Sequence, residues 1–183
     1  THGGQISPVI IRTRGHRLEG IWHSGSPMGM VIHGTRGVNL CVPRDMQKAA
    51  GFYNTLMAAN EPAMVIECLN GYRVKEKLPS NMGEFRTPLG IPEITKEGND
   101  VTLVTYGSTW RIVSEAAKQL EDLGISAEVI DVQTLVPLDI NKTMVNSVIK
   151  TNRLLVIDED VPGGASSYIL QNIVEDQKGF FHL

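Results

Sequence analysis

Short β-branched runs alternate with stretches of helical periodicity, and this order constrains the fold more than any single residue does. PVIIR at 8–12, VNLCV at 38–42 and AMVIEC at 63–68 read as strands. So do DVTLVTY at 100–106, AEVIDV at 127–132 and RLLVID at 153–158. Pro43 and Asp45 open a helix to about Ala58, with Ala49, Phe52, Tyr53, Leu56 and Met57 on one face. Gly107-Ser108-Thr109 is a turn whose hydroxyl can cap a helix from about Trp110 to Leu123. Ile112, Val113, Ala116, Leu120 and Leu123 give that helix an apolar face, and Gly124 is placed to end it. Asp139 caps a helix from about Ile140 to Lys150, and another covers 165–177 after Gly163-Gly164. Strands that are apolar throughout, alternating with helices, predict parallel sheets covered on both faces. Right-handed crossovers narrow this to a doubly wound α/β sheet in each of two regions.

Two stretches break the alternation. Residues 13–37 are rich in Gly, His, Ser and Arg and lack periodicity. They read as a long loop with one short helix near Met28 to His33, and a loop of that length is usually functional. Residues 69–99 carry Pro79, Pro88 and Pro92 among glycines and mixed charges, and read as a linker crossing between the two regions. The chain opens at Thr1 almost directly into a strand and stops inside the apolar run around Phe180-Phe181. Both ends read as cut, so a piece of a longer protein is expected.

Composition removes several function classes. Seventeen basic residues against twenty acidic, a net charge of -3, argue against a nucleic-acid partner. No apolar run approaches the ~20 residues that span a bilayer, and Thr1 to Gly4 do not open a signal peptide. Cys41 and Cys68 sit in strand-like runs without any CxxC, which suits reduced core thiols in a cytoplasmic protein and no metal site.

The candidates for chemistry are few. His23, in Trp22-His23-Ser24-Gly25-Ser26-Pro27, lies in the long loop after a strand, where α/β sheets bind ligands and where an imidazole can move protons. Spacing alone favours an ordinary loop histidine. His33 is second; its plainer role is to face the end of a short helix. His16 and Arg17 could bind a phosphate or carboxylate, with a solvated loop as the plainer reading. Gly107-Ser108 lacks the second glycine of a dinucleotide loop, and Gly163-Gly164 reads equally as a turn. Asp158-Glu159-Asp160 reads as a solvated strand end, and Tyr72-Arg73 as an exposed pair able to reach a cleft.

Taken together, these stretches resemble the β subunit of 2-oxoacid dehydrogenase decarboxylating components. Gly3-Gly4-Gln5, PVIIR, Trp22–Pro27, His33 and VNLCVP follow one another in that family's order. Ile130-Asp131-Val132-Gln133-Thr134-Leu135-Val136-Pro137-Leu138-Asp139 resembles its ID-x-R-T-L-x-P-x-D signature, and Lys150–Val156 continues the likeness. The resemblance implies that residues 1–75 are the later part of a transketolase-like pyrimidine-binding domain. Residues 76–95 are then a linker, and 96–183 a truncated transketolase C-terminal-like domain. It implies thiamine diphosphate and Mg²⁺ in the complete enzyme, decarboxylation of a 2-oxoacid of branched-chain or pyruvate type, and acyl transfer to a lipoyl arm. His23 matches the family's active-site histidine, Ser24 helps hold its loop, and Tyr72 and Arg73 match a stretch of interface or structural role. The implied partners are an α subunit or α-type domain, a second copy of the chain, and the lipoyl acyltransferase core. Gln133 and Gly25 replace the family's Arg and Gln. The activating glutamate and the diphosphate site fall outside this sequence, so the chain alone is expected to bind no cofactor tightly. Two other readings are a non-catalytic dimerisation and docking module, and another transketolase-like enzyme.

Overall fold

The apolar runs become strands, and the strands sort into two four-stranded sheets. The computed structural model describes residues 7–16, 26–160 and 162–177. In the first sheet the spatial order is β1-β3-β2-β7. β1 (Ile10–Gly15) runs parallel to β3 (Ala63–Cys68), from Ile10 beside Ala63 to Gly15 beside Cys68. β2 (Asn39–Cys41) is parallel to β3 on its other side. The second sheet has the order β4-β6-β5-β8. β5 (Val101–Thr105) lies parallel to both β6 (Ala127–Asp131) and β8 (Leu154–Val156).

Each sheet departs from the expected parallel pattern at one side. β7 (Thr134–Val136) pairs antiparallel with β2, and β4 (Glu93–Lys96) pairs antiparallel with β6. Neither strand was expected. β7 is only three residues long and follows Gln133, whose φ of 62° turns the chain back. β4 is hidden in the Pro- and Gly-rich stretch expected to be linker, which also contains a 3₁₀ turn at Leu69–Arg73.

Among the described residues five α-helices cover the sheets. They are α1 (Met28–Gly34), α2 (Met46–Met57), α3 (Thr109–Asp122), α4 (Thr143–Thr151) and α5 (Ala165–Asp176). The Asp45 side chain caps α2 by accepting from the Lys48 N–H. Asp139 accepts from the N–H groups of Thr143 and Met144, so α4 begins three residues later than expected. Gly124, at φ +80°, follows the end of α3.

Strand alternation assigns each side chain to a layer. Cys41, Ala63 and Val65 pack on Phe52 and Leu56 of α2. On the opposite face, Leu40 and Ile66 join Val104 and Ile130 of the second sheet. Met28 and Val31 of α1, Met144 and Val148 of α4, and Ile169 and Ile173 of α5 complete this shared core. On the far face of the second sheet, Leu103 and Val129 pack on Val113 and Ala117 of α3. The largest core therefore belongs to both sheets at once. No helix among the described residues is long and apolar enough to cross a membrane.

Candidate functional site

The carboxyl ends of β1, β5 and β8 converge, and polar residues gather there. His16 follows β1, Tyr106 to Ser108 follow β5, and Asp158 lies just beyond β8. His16 is fully buried. Its Nε2 lies 3.1 Å from Asp158 Oδ1, and its Nδ1 accepts the Ser108 backbone N–H at 3.1 Å. The ring stacks on Tyr106 with centroids 4.5 Å apart. The Tyr106 hydroxyl donates to the other Asp158 oxygen at 2.6 Å. Burial pushes the Tyr106 phenol far up, and the Asp158 charge adds to it. Burial acts to raise the Asp158 carboxyl too, but hydrogen bonds from His16 and Tyr106 outweigh it and hold the group below its usual range. The Ser108 hydroxyl donates to the His16 carbonyl at 2.8 Å rather than capping α3. Gly107 has a φ of +56°, and a Cβ there would lie 2.4 Å from His16 Nδ1, so only glycine fits.

A second polar cluster joins the same two sheets. Arg44, just after β2, donates from Nη1 to Asp131 and to Glu93, each at 2.7 Å. Its guanidinium sits 4.7 Å from the centre of the Trp110 ring. Lys48 reaches the same Glu93 at 2.6 Å. Asp131 has no solvent exposure, and burial pushes its carboxyl up to about 6 even beside Arg44.

Between the two clusters lies a cavity of about 170 Å³. Arg44, Cys68, Asn70, Ser108, Arg111 and Ile112 line it. Arg111 is paired to Glu76 at 2.8 Å, and Glu76 also accepts the Met46 N–H at the start of α2. The cavity therefore sits at the carboxyl ends of parallel strands, where open α/β sheets bind ligands. A third cluster lies apart from it. Glu67 accepts from Arg12 at 2.9 Å, from the Tyr53 hydroxyl at 2.5 Å and from the Tyr72 hydroxyl.

The expected site residues fare unequally. His23, Ser24 and Arg17 lie outside the described residues. His33 is exposed at the end of α1, away from the converging strand ends. Tyr72 is half-exposed and serves Glu67, while Arg73 is exposed beside it. His16 and Asp158, expected in a solvated loop and a solvated strand end, are buried against each other. The correction has a physical reason: the two are 142 residues apart, and only the meeting of the two sheets excludes water from both. Arg44 was not singled out. Its signal was a charge set directly after the apolar run VNLCVP.

Two mainly parallel sheets covered by helices, with polar side chains gathered at their strand ends around a crevice, define an α/β protein. Residues 90–183 match the model of the transketolase C-terminal domain, and the chain belongs to that family. It is 37% identical over 166 residues to the 2-oxoisovalerate dehydrogenase subunit beta, mitochondrial, of Chaetomium thermophilum, covering 89% of this chain and 34% of that protein. It is 31% identical over 183 residues to the pyruvate dehydrogenase E1 component subunit beta of Acholeplasma laidlawii, covering 98% and 55%. The acetoin:2,6-dichlorophenolindophenol oxidoreductase subunit beta of Bacillus subtilis is 35% identical over 182 residues, covering 97% and 52%. Among solved structures, a split gene transketolase described as an inactive beta4 tetramer superposes with a TM-score of 0.74 at 25% identity, covering 92% of this chain and 53% of that one. The chain thus spans between a third and just over half of these relatives' length.

Proposed function

We propose that this chain is the β-type portion of a thiamine diphosphate-dependent 2-oxoacid dehydrogenase. In that reading the complete enzyme decarboxylates a 2-oxoacid and passes the acyl group to a lipoyl arm. The observation that carries it is the likeness to β subunits of this kind over nearly the whole chain, including the region before residue 90. That region, residues 1–75, is read as the later part of a pyrimidine-binding domain. His23 is the residue assigned to orient substrate and move a proton, with Ser24 holding its loop. A branched-chain substrate is preferred over pyruvate.

Among the described residues no three His, Cys, Asp or Glu side chains converge as metal ligands. An α-type partner supplies the diphosphate and metal site in this reading, and the bound cofactor supplies the carbanion chemistry. The chain's own part is to present the strand ends and His23 toward that partner.

The test is turnover by the full polypeptide assembled with its α-type partner. 2-Oxoacid-dependent reduction of an artificial electron acceptor is the readout, with branched-chain 2-oxoacid and pyruvate compared. His23→Ala should lower turnover roughly 100-fold, the size of a lost acid–base group. Unchanged turnover in that variant removes His23 from the chemistry, and no turnover with any 2-oxoacid overturns the reading. Calorimetry on the chain alone should detect no tight thiamine diphosphate binding.

A further inference from the structure

His16 has a backbone that its neighbour could have adopted without strain. Its φ is +53°, in the left-handed region, although Gly15 stands one position earlier. Histidine tolerates this region better than most residues, but such a conformation persists only where its surroundings fix it. The surroundings here fix it fully. A backbone N–H can only donate, so the bond from Ser108 requires a lone pair on His16 Nδ1. The ring proton then sits on Nε2 and points at Asp158. Tyr106 stacks on one side, Gly107 leaves no space beyond the ring, and Asp158 is itself held by the Tyr106 hydroxyl. Each contact of the His16 ring runs from the first sheet to the second, while the Tyr106–Asp158 bond braces the second sheet's own strand ends.

We propose that His16, as the neutral Nε2–H tautomer held between Asp158 and Ser108, is a positioning residue of the enzyme. It pins the carboxyl end of β1 to the strand ends of the second sheet and so sets the geometry of the crevice between them. This inference rests on the 2-oxoacid dehydrogenase reading. It assigns His16 no contact with substrate. A small displacement of a site wall is enough to slow chemistry without weakening binding.

The experiment uses the full polypeptide with its α-type partner and compares kcat, KM and thermal midpoint for two variants. His16→Phe fills the ring's space and removes its hydrogen bonds to Asp158, Ser108 and Thr109. It should lower kcat roughly 10- to 100-fold while KM stays near the wild-type value. His16→Gln carries one acceptor and one donor at its tip and should recover most of the lost kcat. A His16→Phe variant with wild-type kcat overturns the inference. So does a His16→Gln variant no better than His16→Phe. A wild-type assembly that turns over no 2-oxoacid instead defeats the functional reading, and the positioning role falls with it.

Discussion

Arg44→Met makes the sharpest test of how the two sheets are joined. Methionine keeps much of the side-chain volume but removes the charge and both Nη1 hydrogen bonds. The two carboxylates left behind differ. Glu93 keeps Lys48 at 2.6 Å and is 37% exposed, so it stays solvated and paired. Asp131 is fully buried and keeps only the Gln133 N–H at 3.3 Å. Removing one partner of a buried ion pair costs about 3–5 kcal/mol, which for a domain of this size lowers the thermal midpoint by about 6–20 °C. The sign of the pH dependence follows from Asp131. Its carboxyl is already raised by burial, from 3.8 to about 6, with Arg44 opposing the rise. Without Arg44 it rises further. A carboxyl raised in the folded state favours folding below its unfolded value, and that contribution is lost as pH climbs through the folded value. The deficit of Arg44→Met relative to wild type should therefore be largest near pH 8 and shrink toward pH 5, by about 1.4 kcal/mol for each further unit of rise. Denaturant unfolding of both proteins across that range is the assay. A deficit that does not change with pH would refute Asp131 as the stranded group.

Three further outcomes follow from the packing. Gly51→Ala should destabilise by about 1–3 kcal/mol despite alanine's better helix propensity, because its Cβ would lie 2.2 Å from Thr87 Oγ1 and 2.8 Å from the Thr87 amide; thermal unfolding reads this out. Cys41 and Cys68 are buried, and burial pushes each thiol up to about 12, so neither should react with a thiol-specific dye at neutral pH until the protein unfolds. Lys150→Met should strand the buried Glu128, which burial acts to raise but Lys150 holds below its usual range. A depressed carboxyl stabilises above its unfolded value and loses that contribution on acidification, so wild type and variant should converge in stability as pH falls.

Much of the architecture was legible in the chain. The runs AMVIEC and DVTLVTY carry enough β-branched residues to be strands wherever they fall, and both are central strands. The stretch 109–122 is legible as a helix, but its buried face only in part: Val113 and Leu120 pack on the sheet as expected, Ala117 joins them, and Ile112, Ala116 and Leu123 of the expected face are exposed. The antiparallel strands β4 and β7 left no such mark, since each is only three or four residues long and paired on one side alone. The polar clusters were less visible still. Asp158 looked like the first of three solvated acids, and His16 like one of several loop polar residues. Nothing local distinguishes a buried histidine from an exposed one when its partner is brought to it from the far end of the chain. Arg44 and Asp131 repeat the lesson at a separation of 87 residues. His23 stands out only by its neighbours in sequence and lies outside the described residues.

β7 joins the first sheet although it follows β6 of the second by only a few residues. The family-matched region, residues 90–183, thus lends a strand to the sheet built from residues before it. Cutting the chain between them would leave β2 with an unpaired edge on one fragment and Leu135 stripped of its core on the other. The two halves should consequently melt in one transition rather than two. A boundary drawn from sequence families marks where inheritance was recognised, and here the polypeptide ignores it.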